Sequence, residues 1–391
     1  MSSLNSAAPD TAAVTVEPVD GKKALETFIR LPWRLYADDP NWVPPLLREV
    51  WDQLSRDRNP YFEHAEAQYW IAYRNGRPVG RISAQVDQLV LKHHGTKTGH
   101  FGFLEAEDDP AIFSALFAAA LNWLRDQGME QVIGPFNLSI NQESGLLVDG
   151  FDSPPMMLMG HAPRHYGNHV EALGFEKVKD LYAYAFDIKK GMPPLVHRLI
   201  ERAEAKGKIQ LRQLDMKRYA EDLTDILDIF NDAWSENWGF LPLTGAEAKK
   251  DVEAMKLIIQ EDLVYIAEVD GKPVGMMVTL PNLNEAIADL NGKLFPFGWA
   301  KLLWRLKVKC PKTSRVVMMG VRKEYQGGAL GAAIAFMLVE QSRKNAERKG
   351  MEWGELSWVL DDNVPMQKIS EAIKAPIYKT YRLYTKSLVR A

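Results

Sequence analysis

The chain reads as a mixed α/β protein built from two related halves, and three internal likenesses predict it. Residues 69–80, YWIAYRNGRPVG, align with 264–275, VYIAEVDGKPVG, at an offset of 195; Asn41-Trp42 and Asn237-Trp238 align at 196; Gly128-Met129-Glu130 and Gly350-Met351-Glu352 align at 222. The first pair reads as a β-hairpin, two β-rich runs joined by an Asn-Gly or Asp-Gly turn that tolerates positive φ. The second pair follows segments with apolar residues at helical spacing: Leu25, Phe28 and Ile29 in one, Leu223, Ile226, Leu227 and Phe230 in the other. The third pair marks the end of a long apolar helix in each half. Asp109-Pro110 offers the first of these an N-cap and an N1 proline, Gly128 stops it, and Lys344, Arg348 and Lys349 place cations before Gly350 in the second.

A last likeness, LYAYAFD around Tyr182 and YRLYTK around Tyr381, predicts a closing strand in each half. The order strand, helix, hairpin, strand, long helix, strand, helix, strand is a mixed-sheet α/β pattern. The offset changes show that the second half carries an extra segment before its helix end and the first half one after its helix. We expect a loose tail over 1–13, a first domain over 14–190, a linker over 191–208 and a second domain over 209–391.

Composition narrows the function classes. With 391 residues, 46% hydrophobic and 25% charged, the chain has the proportions of an ordinary folded protein rather than a disordered one. Lys+Arg 48 against Asp+Glu 51 leaves a net charge of −3, which argues against a nucleic-acid partner. The lone Cys310 can form no internal disulfide or multi-thiolate metal site, and fits a reducing cytoplasm. The longest glycine-and-apolar run, 327–339, falls short of the roughly 20 residues a membrane span needs. Residues 1–13 contain no Lys or Arg and lack the pattern of a signal peptide.

Chemistry concentrates at residues 315–339, where an apolar strand runs through Gln326-Gly327-Gly328-Ala329-Leu330-Gly331 into a helix. Such a loop is either a tight turn or a cradle in which backbone N–H groups and the helix dipole hold an anion, a pyrophosphate among them. The first-half extra segment, 134–166, contains Asn137, Asn141, Glu143, His161 and His165. It suits a lid or an acceptor site using Glu143 and His161, or equally a packed Ω-loop; the spacing does not suggest a metal. The second-half segment, 295–309, FPFGWAKLLWRLKVK, interleaves aromatic and leucine residues with Lys301, Arg305, Lys307 and Lys309. It reads as an interfacial helix for a lipid surface, or as a cap over the core with its cations in water.

These residues resemble the GNAT superfamily of N-acyltransferases. Its acyl-CoA pyrophosphate loop has the pattern Q/R-x-x-G-x-G/A after the fourth strand, and Gln326, Ala329 and Gly331 take its defined positions, with Ala329 in place of the first glycine. The P-V-G hairpin strand, Asp361-Asp362-Asn363, the closing strand and the first half's Leu173-Gly174-Phe175 follow the superfamily's order. The resemblance covers nearly the whole chain as a tandem. It implies an acyl-CoA donor bound by Met319, Val321, Gln326, Gly327, Gly328, Ala329, Leu330, Gly331, Ala332 and Asn363, with no metal. In the first half the equivalent strand runs into Glu107-Asp108-Asp109, whose charge opposes a pyrophosphate, so one CoA site is expected, in the second half.

By the same analogy Glu355 is the expected general base, with Asp361 and Asp362 next; the other reading is a solvent-facing strand-end carboxylate. Ser370 stands where the superfamily often has a tyrosine acid, which leaves Tyr378 as a substitute. Expected substrate contacts are Asn137, Asn231, Trp234, Asn237, Trp238, Phe297, Trp299 and Trp304. The tandem layout, D-P-N-W-V-P-P at 39–45, N-W-G-F at 237–240 and the basic apolar insert look similar to the bacterial ceramide-synthase-like branch, whose members move a long acyl chain from CoA to the amine of a sphingoid-type base. Peripheral contact with the inner membrane surface is implied. Other readings are acetyl transfer to a small polar amine, a Fem-like transferase, which the net charge and the Gly-rich loop disfavour, and a non-catalytic acyl-CoA or lipid-binding module.

Overall fold

A computed structural model describes residues 12–389; residues 1–11 of the expected tail, and 390–391, lie outside the described residues. In chain order the main strands are β1 (Thr15–Pro18), β2 (Ala65–Arg74), β3 (Arg77–Asp87), β4 (Thr98–Ala106), β5 (Gln131–Gly134), β6 (Leu146–Asp149), β7 (Glu176–Asp187), β8 (Ile209–Gln213), β9 (Val264–Val269), β10 (Lys272–Pro281), β11 (Thr313–Val321), β12 (Trp353–Leu360) and β13 (Ile377–Ser387). They form one continuous sheet in the order β1-β2-β3-β4-β5-β13-β7-β12-β11-β10-β9-β8, with β6 also paired to β13. The two halves exchange their closing strands. β13 lies between β5 (Tyr384 opposite Gly134) and β7, and β7 pairs in turn with β12 (Ala185 opposite Glu355).

The repeated hairpins have a shared packing reason. Asn75-Gly76 and Asp270-Gly271 all take positive φ, as a two-residue turn that matches strand twist requires. The glycine of each P-V-G lies beneath its half's long helix. A Cβ on Gly80 would come within 2.9 Å of Ile112 and Leu116, and one on Gly275 within 2.8 Å of Ile334. The helices Pro110–Asp126 and Ala329–Arg348 therefore settle directly on the hairpins and bury Phe113, Leu116 and Phe117 in one half, Ile334, Phe336 and Leu338 in the other. Asp109 caps the first helix as its sequence suggests, accepting from the Ala111 amide at 2.8 Å.

The first-half extra segment forms a small ribbon, Phe136–Asn137 with Glu143–Ser144, then β6, and then crosses to the other half. Most of it joins the first half's own core, through Phe136, Leu146, Leu147, Met159 and Tyr166, and the stretch around Met157 packs on the other half. Met157 is buried with Phe230 and Val278, its amide donates to Asn282 Oδ1 at 3.0 Å, and its carbonyl accepts from Arg315 at 2.8 Å. Lys379, fully buried in β13, ties down the start of this strap through the carbonyls of Gly150 and Ser153. In the second-half segment, helix Gly298–Trp304 continues into a wide turn, Arg305–Lys309, anchored by buried Leu306. Lys301 and Arg305, unopposed within their own segment, both meet Asp289 from outside it, whereas Lys307 and Lys309 are exposed. Phe297 is 78% and Trp304 52% exposed, with Phe295, Trp299 and Val308 beside them in the chain. No helix among the described residues is long and apolar enough to cross a membrane.

Candidate active site

Parallel β11 and β12 keep register only from Thr313 opposite Trp353 to Val316 opposite Leu356. Beyond that point 317–321 and 357–360 part, and the edge of β11 that faces β12 loses its ladder partner. At the end of β11 the chain makes a short 3-10 turn, Lys323–Tyr325, and enters helix Ala329–Arg348 through the glycine loop. Gly327 has φ +75°, a conformation that suits glycine, and a Cβ on Gly331 would lie 2.1 Å from the Tyr325 carbonyl oxygen. Gln326 Nε2 donates to the Val321 carbonyl at 2.7 Å and closes the turn. Gly328 is the N-cap and offers no side-chain cap, so the first-turn amides of a twenty-residue helix point out of an exposed loop. This donor set suits a pyrophosphate. Lys323 and Arg322 flank the loop, paired with Glu236 and Asp228, and Trp234 donates to the Met319 carbonyl at 2.9 Å to fix helix Tyr219–Trp234 against β11.

A buried ionic group lies where the two strands begin to part. Arg315 and Glu355, opposite each other in register, are 1% and 0% exposed in their side chains and 3.4 Å apart. Ser357 Oγ donates to Glu355 Oε1 at 2.6 Å, Tyr378 donates to Oε2, and the Arg315 guanidinium stands 4.8 Å from the centre of the Trp358 ring. Burial, together with the Glu355 carboxylate, pushes the Tyr378 hydroxyl well above its ordinary pKa.

The first half has its own cleft, because β4 and β5 keep register only from Thr98 to His100. A cavity of about 30 Å³ sits in it, lined by Phe103, Glu105, Asn137, Glu143, Gly160 and His161 among others. Glu105 accepts from Tyr36 at 2.6 Å and from Tyr166 at 3.0 Å, with Arg81 3.7 Å away. His161 Nε2 meets Asp39 at 2.7 Å. The D-P-N-W segment builds this wall: Asp39 holds His161, Asn41 donates to the Phe151 carbonyl, and Trp42 stacks on Tyr36. Burial pushes the Glu105 carboxyl up to about 7, outweighing Arg81 and the two tyrosine hydroxyls, and raises that of Glu143 as well.

Glu105 thus binds its proton more tightly in the folded than in the unfolded chain. Its contribution favours folding at low pH and is lost as pH rises from the unfolded value of 4.5 through about 7, a loss on the order of 3 kcal/mol. Glu105→Gln is expected to flatten the decline of melting temperature between pH 5 and 8, the two proteins converging at the acid end. Parallel curves would refute the assignment.

Comparison with known proteins places this geometry. A bacterial ceramide synthase of Caulobacter vibrioides is 50% identical over 378 residues, covering 96% of this chain and 98% of that protein, and Protein YghO of Escherichia coli K12 is 46% identical over 368 residues, 94% of each. The chain belongs to the bacterial ceramide synthase family. Among solved structures, a tandem GNAT protein from the clavulanic acid pathway superposes with TM-score 0.56 at 13% identity over 97% of this chain and 99% of that one. A GCN5-related N-acetyltransferase from Sphaerobacter thermophilus gives 0.53 at 11% over 97% and 96%. These likenesses establish the tandem GNAT fold for this ceramide synthase family member. No family model matches the sequence.

In this family member the residues singled out by sequence are spread over several places. Met319, Val321, 326–331 and Ala332 gather at the second-half cleft, while Asn363 caps the helix Val364–Ala372 by accepting from the Met366 amide. Glu355 and Tyr378 come together, but Ser370 is buried with its hydroxyl bonded back to Met366. The reading of Glu355 as a solvent-facing strand end is overturned by its complete burial opposite Arg315. Asp361 and Asp362 pair with Lys177 and Lys179. Asn137, Glu143 and His161 share the first-half cavity. Trp234 backs β11, Asn231 is exposed on the same helix, Asn237 and Trp238 follow it, with Trp238 under Lys179 at 5.8 Å, and Phe297, Trp299 and Trp304 stand on the separate insert. Sequence reading missed Arg315, Ser357, Glu105, Arg81, Tyr36 and Tyr166. The available signal was a lone charge inside each of three apolar strands, at Arg81, Glu105 and Arg315.

Proposed function

We propose that this protein transfers a long acyl chain from acyl-CoA to the amine of a sphingoid-type base. The observation that carries this reading is the uncapped glycine N-terminus at 327–331 at the mouth of the parting between β11 and β12. In this reading first-turn amides take the pyrophosphate, and the unpaired edge of 317–321 receives the amide groups of the pantetheine arm. The neutral amine nitrogen attacks the thioester carbonyl, the tetrahedral oxyanion collapses, and the CoA thiolate leaves with a proton while the amide forms. Glu355 has both oxygens engaged, so we assign it the orientation of Tyr378 rather than proton removal. The name of the Caulobacter relative supports the sphingoid acceptor.

The exposed aromatic residues of 295–309, together with Lys307 and Lys309, support contact with an anionic lipid surface from which acceptor or acyl-CoA is drawn. The decisive assay offers purified protein a series of CoA esters from acetyl to palmitoyl with sphinganine and follows free CoA and N-acylated product. Release of both, favouring long chains, is expected; failure to bind any ester sinks the proposal. The double substitution Phe297→Ser with Trp304→Ser should weaken cosedimentation with phosphatidylglycerol vesicles about tenfold or more, since each buried aromatic contributes roughly 1.5–3 kcal/mol. Unchanged vesicle binding removes the lipid-contact argument.

A further inference from the structure

The first-half cleft has the features of a built ligand site rather than a packing defect. Two carboxylates, Glu105 and Glu143, line one cavity from different elements, β4 and the ribbon of the extra segment. Its volume of about 30 Å³ accepts a group the size of a water molecule or an ammonium. Within this wall the His161 side chain is 5% exposed, and its Nδ1 has no hydrogen-bond partner among the described residues. Because Nε2 faces the Asp39 carboxylate at 2.7 Å, the ring proton of the neutral tautomer sits on Nε2, and Nδ1 presents a lone pair. Buried polar atoms in folded proteins are almost always satisfied, so an unpartnered acceptor on a residue that lines the same cavity as the half-buried Glu105 and Glu143 carboxylates favours a ligand that donates.

We propose that this cleft binds the primary ammonium head of an amine, with Glu105, Glu143 and His161 Nδ1 as its three acceptors. A primary ammonium carries three N–H donors in a compact head, which matches three acceptors and a small volume. An anion is disfavoured. No Lys or Arg is among the residues that line the cavity, and Arg81 nearby donates to the Phe28 carbonyl at 2.7 Å and stands 3.7 Å from Glu105. Gly160 keeps the cavity open, because a Cβ there would lie 3.0 Å from Glu143 Oε1. In the sheet this cleft, at β4 and β5, lies four strands from Glu355 on β12, so the amine it holds is bound apart from the thioester site of the transferase reading.

The test is calorimetry with n-octylamine as probe and n-octanol as its uncharged control, run on the full chain with no acyl donor. Saturable one-to-one binding of the amine is expected, about tenfold or more tighter than the alcohol, with Glu105→Gln, Glu143→Gln and Gly160→Ala each weakening it about tenfold, as loss of a charge-assisted contact or of space predicts. CoA titrated into the same variants should bind as in the parent protein, which shows that they are folded; Gly160→Ala removes no charge and serves if a glutamine variant does not fold. Amine binding equal to that of octanol, or unchanged in all three variants, overturns the proposal. Amine binding as expected, with no turnover of any CoA ester, would sink the transferase reading and leave the cleft assignment standing.

Discussion

Gly328→Asp should lower acyl-CoA affinity by about 100-fold or more while the melting temperature holds or rises. The two readouts diverge because they answer to different physics. At φ −114° and ψ 170° Gly328 has a conformation open to any residue, and a Cβ there meets nothing within 4 Å. Asp is a favoured N-cap residue and would accept from first-turn amides that now lack a side-chain partner, a gain of about 1 kcal/mol. The same carboxylate then occupies the donors a pyrophosphate needs and repels it by about 4 kcal/mol at 4 Å in an intermediate dielectric. Calorimetric titration of CoA and a thermal melt on one preparation decide the matter. An unaltered CoA affinity would refute the loop assignment.

Arg315→Met is expected to destabilise the protein by about 3–5 kcal/mol, because it leaves the Glu355 carboxylate buried without its cation. The guanidinium also holds the Met157 carbonyl of the strap at 2.8 Å and Ser357 Oγ at 2.9 Å. Adding Glu355→Gln removes the stranded charge and should restore more than half of the loss, a non-additivity that equilibrium denaturation in urea measures directly. A single variant as stable as the parent protein would show that the pair contributes nothing net.

The hairpins, the two long helices and the glycine loop were legible because each is written locally: a turn dipeptide with positive φ, a cap residue before a proline, a glycine on which a helix rests. Gly80 and Gly275 illustrate this, since the matching P-V-G motifs mark the same contact in each half. The neighbours of β7 and β13 were not legible. Period-two patterning tells which face of a strand is buried and is silent on which strand lies beside it, so LYAYAFD and YRLYTK read as closing strands without revealing their exchange. Arg315 and Glu355 are 40 positions apart and meet only through the parallel register of β11 and β12. Likewise Tyr36, Glu105 and Tyr166 come from a helix end, a strand and a second helix, and it is chiefly the burial their meeting creates that pushes the carboxyl of an ordinary glutamate up to about 7.

The exchanged strands also set a timetable for synthesis. When the ribosome has finished β7, about 190 residues remain before β13 begins, which at 5–20 residues per second is a wait of about 10–40 s. Until then β5 and β7 lack the strand that lies between them in the finished sheet, and an unpaired strand edge is open to other partners. The last strand to be made, Ile377–Ser387, is the one that closes the middle of the sheet, so a chain cut short before it loses the first half's completion along with the second's.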